Sequence, residues 1–310
     1  MIFLIAIEND IMFVNERNRA KEKNMKVENL FREKRPVISF EIFPPKRDTE
    51  LKNIDGTLEI LSRLNPDFIS VTFGAGGSAT NNKTIALAKK IKQEYGITPI
   101  VHLTCLNYSK NEMDELLAEL KENEIENVLA LRGDRNPDIE PKKEFHYATD
   151  LVKYIKAHGD FDVCGACYPE GHTEAESIVA DIQHLKEKVD AGATHLISQL
   201  FFDNNIFYSF QEKTKLAGIN VPIEAGIMPV INKAQIERMV TLCGASLPEK
   251  FQCMMNKYEN DKDALFDAGI AYAVNQIVDL LAHDVDGIHI YTMNNTKVAE
   301  RICKGIENLI

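Results

Sequence analysis

Polar side chains stand where short apolar runs of this chain come to an end. Ser39 and Glu41 close the run 37–43, Ser70 and Thr72 the run 67–74, and His102 and Thr104 the run 99–105. Arg132 and Asp134 end the run 127–133, Tyr168 and Glu170 the run 162–168, Gln199 and Asp203 the run 194–202, and His289 and Tyr291 the run 287–293. Carboxylates, imidazoles, a guanidinium and an amide in such places can move protons, hold anions and orient polar rings. Glu41 is the sharpest case. In Val37-Ile38-Ser39-Phe40-Glu41-Ile42-Phe43-Pro44-Pro45, alternation puts Ile38, Phe40 and Ile42 on one face and Ser39 and Glu41 on the other, and the prolines then break the strand. Desolvation there would make Glu41 an acid usable near neutral pH; the plainer reading pairs it with a lysine or arginine.

Other motifs carry their own alternatives. Arg132-Gly133-Asp134 either forms a mutual buried pair or offers a cation to a phosphate or ring oxygen and a carboxylate to a substrate's N–H groups. Gly74-Ala75-Gly76-Gly77-Ser78 lets backbone N–H groups approach an anion or a flat ring, but it lacks the endings of a P-loop or a dinucleotide fingerprint. His102 is a core histidine or a ligand-binding one. Cys164 and Cys167 resemble a redox pair in spacing, yet residues three apart on a strand face opposite sides, so two unlinked thiols are expected. No zinc spacing and no G-x-S-x-G elbow occurs, and Glu259, Asp261 and Asp263 read as a solvated helix face.

These residues need a scaffold that brings strand ends together. Eight apolar runs, those above and 221–228, recur mostly at roughly 30-residue spacing, the size of one βα unit. Helical periodicity fills the gaps at 82–95, 110–123 and 174–191, with extra helical sequence, including 261–282, before the last strand. An α/β protein with a (βα)8 TIM barrel is expected, with an open doubly wound sheet as the alternative. In the first four strands Ile38, Phe40, Val71, Phe73, Leu103, Leu129 and Leu131 would pack outward on helices. Residues 25–310 read as one catalytic domain, and residues 1–24 as a dispensable extension whose apolar run is too short to span a bilayer; no other segment reads as transmembrane.

Composition narrows the partners. The net charge of −11 argues against nucleic acid or an anionic membrane surface. Six cysteines spread over 310 residues suggest reduced thiols in a cytoplasmic protein.

From residue 37 to 295 the chain resembles the methylenetetrahydrofolate reductases, of the bacterial single-domain flavoprotein type. The motifs are SFEIFPP, SVTFGAGGS, HLTC, ALRGD, YPEGH, KVDAGA, SQLFFD, GIMPV and YTMNN, in order. The resemblance implies a βα barrel that binds FAD at its strand C-termini and reduces 5,10-methylenetetrahydrofolate to 5-methyltetrahydrofolate. NADH would reduce the flavin on the face later used by folate, giving ping-pong kinetics. Glu41 then corresponds to the general acid, and Asp134 to the residue beside the flavin that binds the pterin. Gln199 and Tyr291 fall at substrate-binding positions. Thr72, Phe73, Ala75, His102, Arg132, Gly133, Tyr147, Ala148, Tyr168, His172, Ala175, Asp181 and Lys188 match flavin-contacting positions. No metal is implied, and a homo-oligomer is expected. Lys233 and Asn295 depart from the family, standing where an aromatic residue and an arginine are common. Two other readings stay open: a flavin-carrying electron-transfer subunit fed by a partner protein, and a barrel transferase that merely binds a pterin.

Overall fold

A computed structural model describes residues 26–45, 51–73, 78–135 and 140–310. Strands β1 (Val37–Ile42), β2 (Phe68–Val71), β3 (Thr98–Thr104), β4 (Asn127–Leu131), β5 (Asp162–Cys167), β6 (His195–Ser198), β7 (Ile223–Ile227) and β8 (Gly287–Tyr291) pair in parallel, each with the next, and β8 returns to β1. The barrel is therefore closed, and the open-sheet alternative falls. Helix α1 (Val27–Glu33) precedes the barrel. The connections carry α2 (Leu51–Arg63), α3 (Ser78–Tyr95), α4 (Lys110–Glu122), α5 (Ala148–His158), α6 (Ile178–Asp190) and α7 (Asn204–Leu216). Three helices, α8 (Lys233–Cys243), α9 (Glu249–Tyr258) and α10 (Lys262–Ala282), separate β7 from β8, and α11 (Thr296–Ile306) follows.

Alternation along the strands sorts the apolar residues into two layers. Ile38, Phe40, Ile42, Val71, Leu103, Val128 and Ala130 face outward into the core shared with the helices. A second cluster of Val37, Phe68, Ile100, Leu129, Cys164 and Ile197 fills the barrel interior, with Leu131 packed against it. The outward placement expected for Leu129 and Leu131 is thus corrected. β4 enters the barrel with Val128 and Ala130 outward, which sends Leu129 and Leu131 to the other face.

Helix α1 is the floor of the barrel. Val27 and Phe31, one turn apart, enter the interior cluster, and burying a phenylalanine contributes about 1.5–3 kcal/mol. Its first N–H groups, which lack helical acceptors, donate to side chains at the starts of two strands: Val27 N–H to Asn127 Oδ1 at 2.9 Å and Glu28 N–H to Asp162 Oδ2 at 2.7 Å.

Helix starts follow their caps. Helix α4 opens on a capping box, with Glu112 N–H donating to Ser109 Oγ and Ser109 N–H to Glu112 Oε2. The Ser109 N–H and hydroxyl, both donating to Glu112 Oε2, hold the Glu112 carboxyl pKa down to about 2. Helix α6 begins at Ile178 behind Ser177, later than periodicity alone places it. Asp261 caps α10 rather than merely facing solvent. Helix α10 is also long and apolar enough to cross a membrane, contrary to the expectation that no such segment exists. Here it buries Leu265, Ile270, Ala273, Ile277 and Leu280.

Candidate active site at the barrel mouth

Glu41 lies near the end of β1, in register with Ser70 on β2 and Tyr291 on β8, and is 9% exposed. Its Oε2 sits 3.6 Å from His102 Nε2 and 3.7 Å from His289 Nε2, both longer than a hydrogen bond. Among the described residues neither imidazole nitrogen has a hydrogen-bond partner. Burial drives the His102 pKa down to about 4, so its ring is neutral near pH 7. Among the described residues no lysine or arginine pairs with Glu41.

Tyr291 closes one side of the site. Its hydroxyl donates to Ser198 O at 2.7 Å, and its ring stands edge-on to His289 at 5.3 Å. Burial pushes the phenol well above its usual range, keeping it a donor. The ring passes over Gly226, where an added Cβ would lie 2.8 Å from Tyr291 Oη and 2.2 Å from Ser198 O. Gln199, half-buried, accepts a bond from Leu200 N–H at 2.9 Å.

Across the mouth, Gly133 (φ 87°) turns the chain just after β4, with Thr104 beneath it 3.0 Å from where a Cβ would be. The side chains of Arg132 and Asp134 consequently do not pair as a buried couple. Arg132 forms a two-point ion pair with Glu174 at 2.6 and 2.8 Å, while Asp134 is exposed. Asp134 still acts on the Tyr168 phenol, which burial raises, and Tyr168 in turn acts on Tyr291. Tyr168 packs edge-on against His172 at 4.7 Å. Asp181 receives the His172 N–H, and Ala175 N–H donates to the His172 carbonyl.

The remaining predicted positions are more dispersed. Thr72 and Phe73 follow β2; the Thr72 carbonyl accepts from Thr84, and Phe73 packs on Tyr108. Ala75 lies outside the described residues, as do residues 1–24. Tyr147, 64% exposed, precedes α5, whose first residue is Ala148. Lys188 runs along Gly165 on the outer face of β5 and donates to Ala166 O at 2.7 Å. Two polar strand-end residues prove structural: Asp203 caps α7, and Glu170 accepts from Ser246 N–H. Lys233 pairs with Glu259, and Asn295 caps α11.

Two parts of the interior escaped the sequence reading. His195, from β6, packs against Phe31 at 5.2 Å, and burial lowers its pKa to about 4. Glu224, from β7, is fully buried and accepts from Ser39 Oγ at 2.8 Å. Its signal was a lone carboxylate inside the apolar run 221–228.

A closed parallel barrel with acid, imidazole and phenol groups converging at the strand C-termini defines an enzyme of the (βα)8 class. This chain belongs to the methylenetetrahydrofolate reductase family, whose model matches residues 26–307. It is 36% identical over 266 residues to the 5,10-methylenetetrahydrofolate reductase of Pectobacterium carotovorum subsp. carotovorum, covering 86% of this chain and 88% of that one. It is 34% identical to methylenetetrahydrofolate reductase (NADH) 1 of Arabidopsis thaliana, covering 88% of this chain and 49% of the plant protein. A Clostridium thermocellum protein solved with two copies of 5-methyl-5,6,7,8-tetrahydrofolic acid shares the fold, with a TM-score of 0.63 at 16% identity, covering 88% of this chain and 95% of that one. Family membership makes the chain an oxidoreductase of one-carbon folate metabolism that reduces methylenetetrahydrofolate.

Proposed function

We propose that the chain works with FAD and NADH in a ping-pong cycle, with Glu41 as the general acid. The observation that carries this reading is Glu41 itself: a buried carboxyl at the barrel mouth, claimed by no lysine or arginine among the described residues and faced by two imidazole nitrogens without partners. Such a group can hold a proton and deliver it to N10 of the folate as the five-membered ring opens.

The residues of the mouth suit a flavin. His102 Nε2 and Asn107 Oδ1 are buried polar atoms with no hydrogen-bond partner among the described residues, as expected where a bound group completes the hydrogen bonding. Tyr147, Ile178 and Val179 expose apolar surface around α6, whose first turn carries Asp181 and which Tyr147 meets at His184, where a flat ring would gain cover. Thr72, Phe73, His102, Tyr168, His172 and Ala175 would line the cofactor, with Gly133 allowing close backbone approach. Arg132 would meet a diphosphate by leaving Glu174. Lys188 would need to leave Ala166 O to do the same, so it serves β5 first. Bound there, FAD would carry a hydride from NADH to the folate. Asp134 would take the pterin N–H edge, while Gln199 and Tyr291 would orient the rings from β6 and β8.

The six cysteines are free thiols, which supports a reducing, cytoplasmic setting. The test is an absorbance spectrum of the purified chain before and after anaerobic NADH. Yellow protein that bleaches rapidly supports the reading. Yellow protein that NADH leaves oxidised points to a partner-fed electron-transfer subunit, and colourless protein that takes up no FAD refutes the flavin.

A further inference from the structure

Beneath Glu41 a polar chain crosses the barrel interior. His289 Nδ1 lies 2.6 Å from Ser39 Oγ, and Ser39 Oγ lies 2.8 Å from Glu224 Oε1. All three side chains are fully buried. A position for Glu224 is built into β8: a Cβ on Gly287 would lie 2.8 Å from Glu224 Cγ, so only glycine leaves it room. The His289 ring is held by stacking on Phe68 at 6.1 Å and by the edge contact with Tyr291. A network this deep, with no role in contacting a substrate, is costly unless it sets something.

We propose that Glu224 is a positioning residue for the acid: through Ser39 it holds His289 as the Nδ1–H tautomer and turns a bare Nε2 toward Glu41. The inference rests on the reading of Glu41 as the general acid. Ser39 has one hydroxyl proton and donates it to Glu224 Oε1. Its oxygen then accepts from His289 Nδ1–H, which leaves Nε2 as a lone pair. A lone pair facing Glu41 Oε2 can accept a hydrogen bond from the carboxyl O–H, whereas an Nε2–H there would donate to a carboxylate oxygen. The 3.7 Å gap is of the length that tightens when a substrate fills a site. His102 faces Glu41 from β3 as a second neutral ring, and Tyr291 faces it from β8. Around Glu224, burial raises the carboxyl well above its usual range and Asp67 and Asp286 act in the same direction, while the bond accepted from Ser39 opposes them. Cys164 faces the same space from β5, His195 lines the interior from β6, and β4 contributes the apolar Leu129.

The experiment reads the tautomer directly, by nitrogen-15 NMR of the histidine rings in the purified full chain, and then the pH dependence of single-turnover flavin reoxidation by methylenetetrahydrofolate. The native chain should show His289 with its proton on Nδ1. Glu224→Met removes the acceptor at similar volume, frees the Ser39 hydroxyl to donate to His289 Nδ1, and should move the ring proton to Nε2. The limb of the folate half-reaction that reports the protonated acid should then shift about one unit to lower pH, a loss of about tenfold on its alkaline side. Ser39→Ala, the smaller change, should shift the same limb if Glu224→Met does not fold. An Nε2–H tautomer in the native chain overturns the proposal. So does a Glu224→Met tautomer switch that leaves the pH limb in place. If Glu41→Gln itself reoxidises at the native rate while the tautomers behave as described, the reading of Glu41 has failed and the positioning network has not.

Discussion

Asn294 exchanges two hydrogen bonds with the backbone of Phe43: its Nδ2 donates to the Phe43 carbonyl and its Oδ1 accepts from the Phe43 N–H, both at 2.9 Å. The amide thus extends the β1–β8 pairing beyond Glu41 and Tyr291 to Phe43, the last residue before Pro44 and Pro45. Next to it, Thr292 Oγ1 donates to the Glu41 carbonyl at 2.7 Å. The loop after β8 therefore holds the backbone that carries the proposed acid. Asn294 itself stands at φ 57°, a left-handed conformation that asparagine tolerates better than other side-chain-bearing residues.

Asn294→Ala should remove both bonds and keep the unfavourable φ. The expected cost is about 2 kcal/mol or more, read as a lowered urea midpoint at unchanged m value. A loss below about 0.5 kcal/mol would show that the turn holds β1 without its side chain.

Gly226→Ala tests the packing of Tyr291. The new methyl would meet the Ser198 carbonyl at 2.2 Å and the Tyr291 ring at 2.9 Å, so backbone or ring must move. Overpacking of this kind costs typically about 1–3 kcal/mol, and the folate KM should rise as Tyr291 is displaced. Native stability with native KM would mean that β7 and Tyr291 give way freely.

Acid should destabilise the fold through its buried histidines. His102 and His195 each have a folded pKa of about 4, below the usual 6.5, because burial disfavours the cation. The unfolded chain therefore binds more protons below pH 6.5, and stability falls as pH drops from there toward 4. At pH 5 each ring should cost about 2 kcal/mol relative to pH 7. His195→Phe, which removes one titrating ring between Phe31 and Phe68, should flatten the fall in denaturation midpoint from pH 7 to 5. An unchanged slope would contradict the burial of that ring as the cause.

The two thiols of the C-x-x-C should be inert. Cys164 lies inside the barrel and Cys167 in the outer core, and burial raises both above the ordinary thiol range. Maleimide labelling of the native chain should modify exposed Cys253 first, and Cys164 and Cys167 only on unfolding. Fast modification of either, or a dithiol-dependent turnover, would restore a redox role to the pair.

Much of this fold was legible because parallel barrels repeat one physical unit: a buried strand with turn residues, then an amphipathic helix. Glu41 could be placed on the inner face from Ile38, Phe40 and Ile42 alone, because the prolines fixed where its strand ended. The fourth strand misled for the opposite reason. Gly133 turns the chain after Leu131, so Arg132 and Asp134 do not continue the pleat, and parity counted back from them assigns Leu129 and Leu131 to the wrong layer. Asp203 and Glu170 looked like site residues because caps and loop ties use the same side chains as chemistry does. Glu224 and His195 stayed hidden because the interior of a barrel is assembled from eight separate runs, and a single polar residue within one run says nothing about what faces it. Helix α1 was not among the helices expected from periodicity, although Val27 and Phe31 already had the spacing of a buried stripe.

The central claim is that Glu41 gives a proton to the folate. Glu41→Gln keeps the shape of the side chain and removes the transferable proton. Measured by anaerobic stopped flow, flavin reduction by NADH should stay near the native rate, while reoxidation by methylenetetrahydrofolate should slow by at least about a hundredfold. Equal slowing of both steps would make Glu41 a group that shapes the site, and native rates in both would contradict its role as the acid.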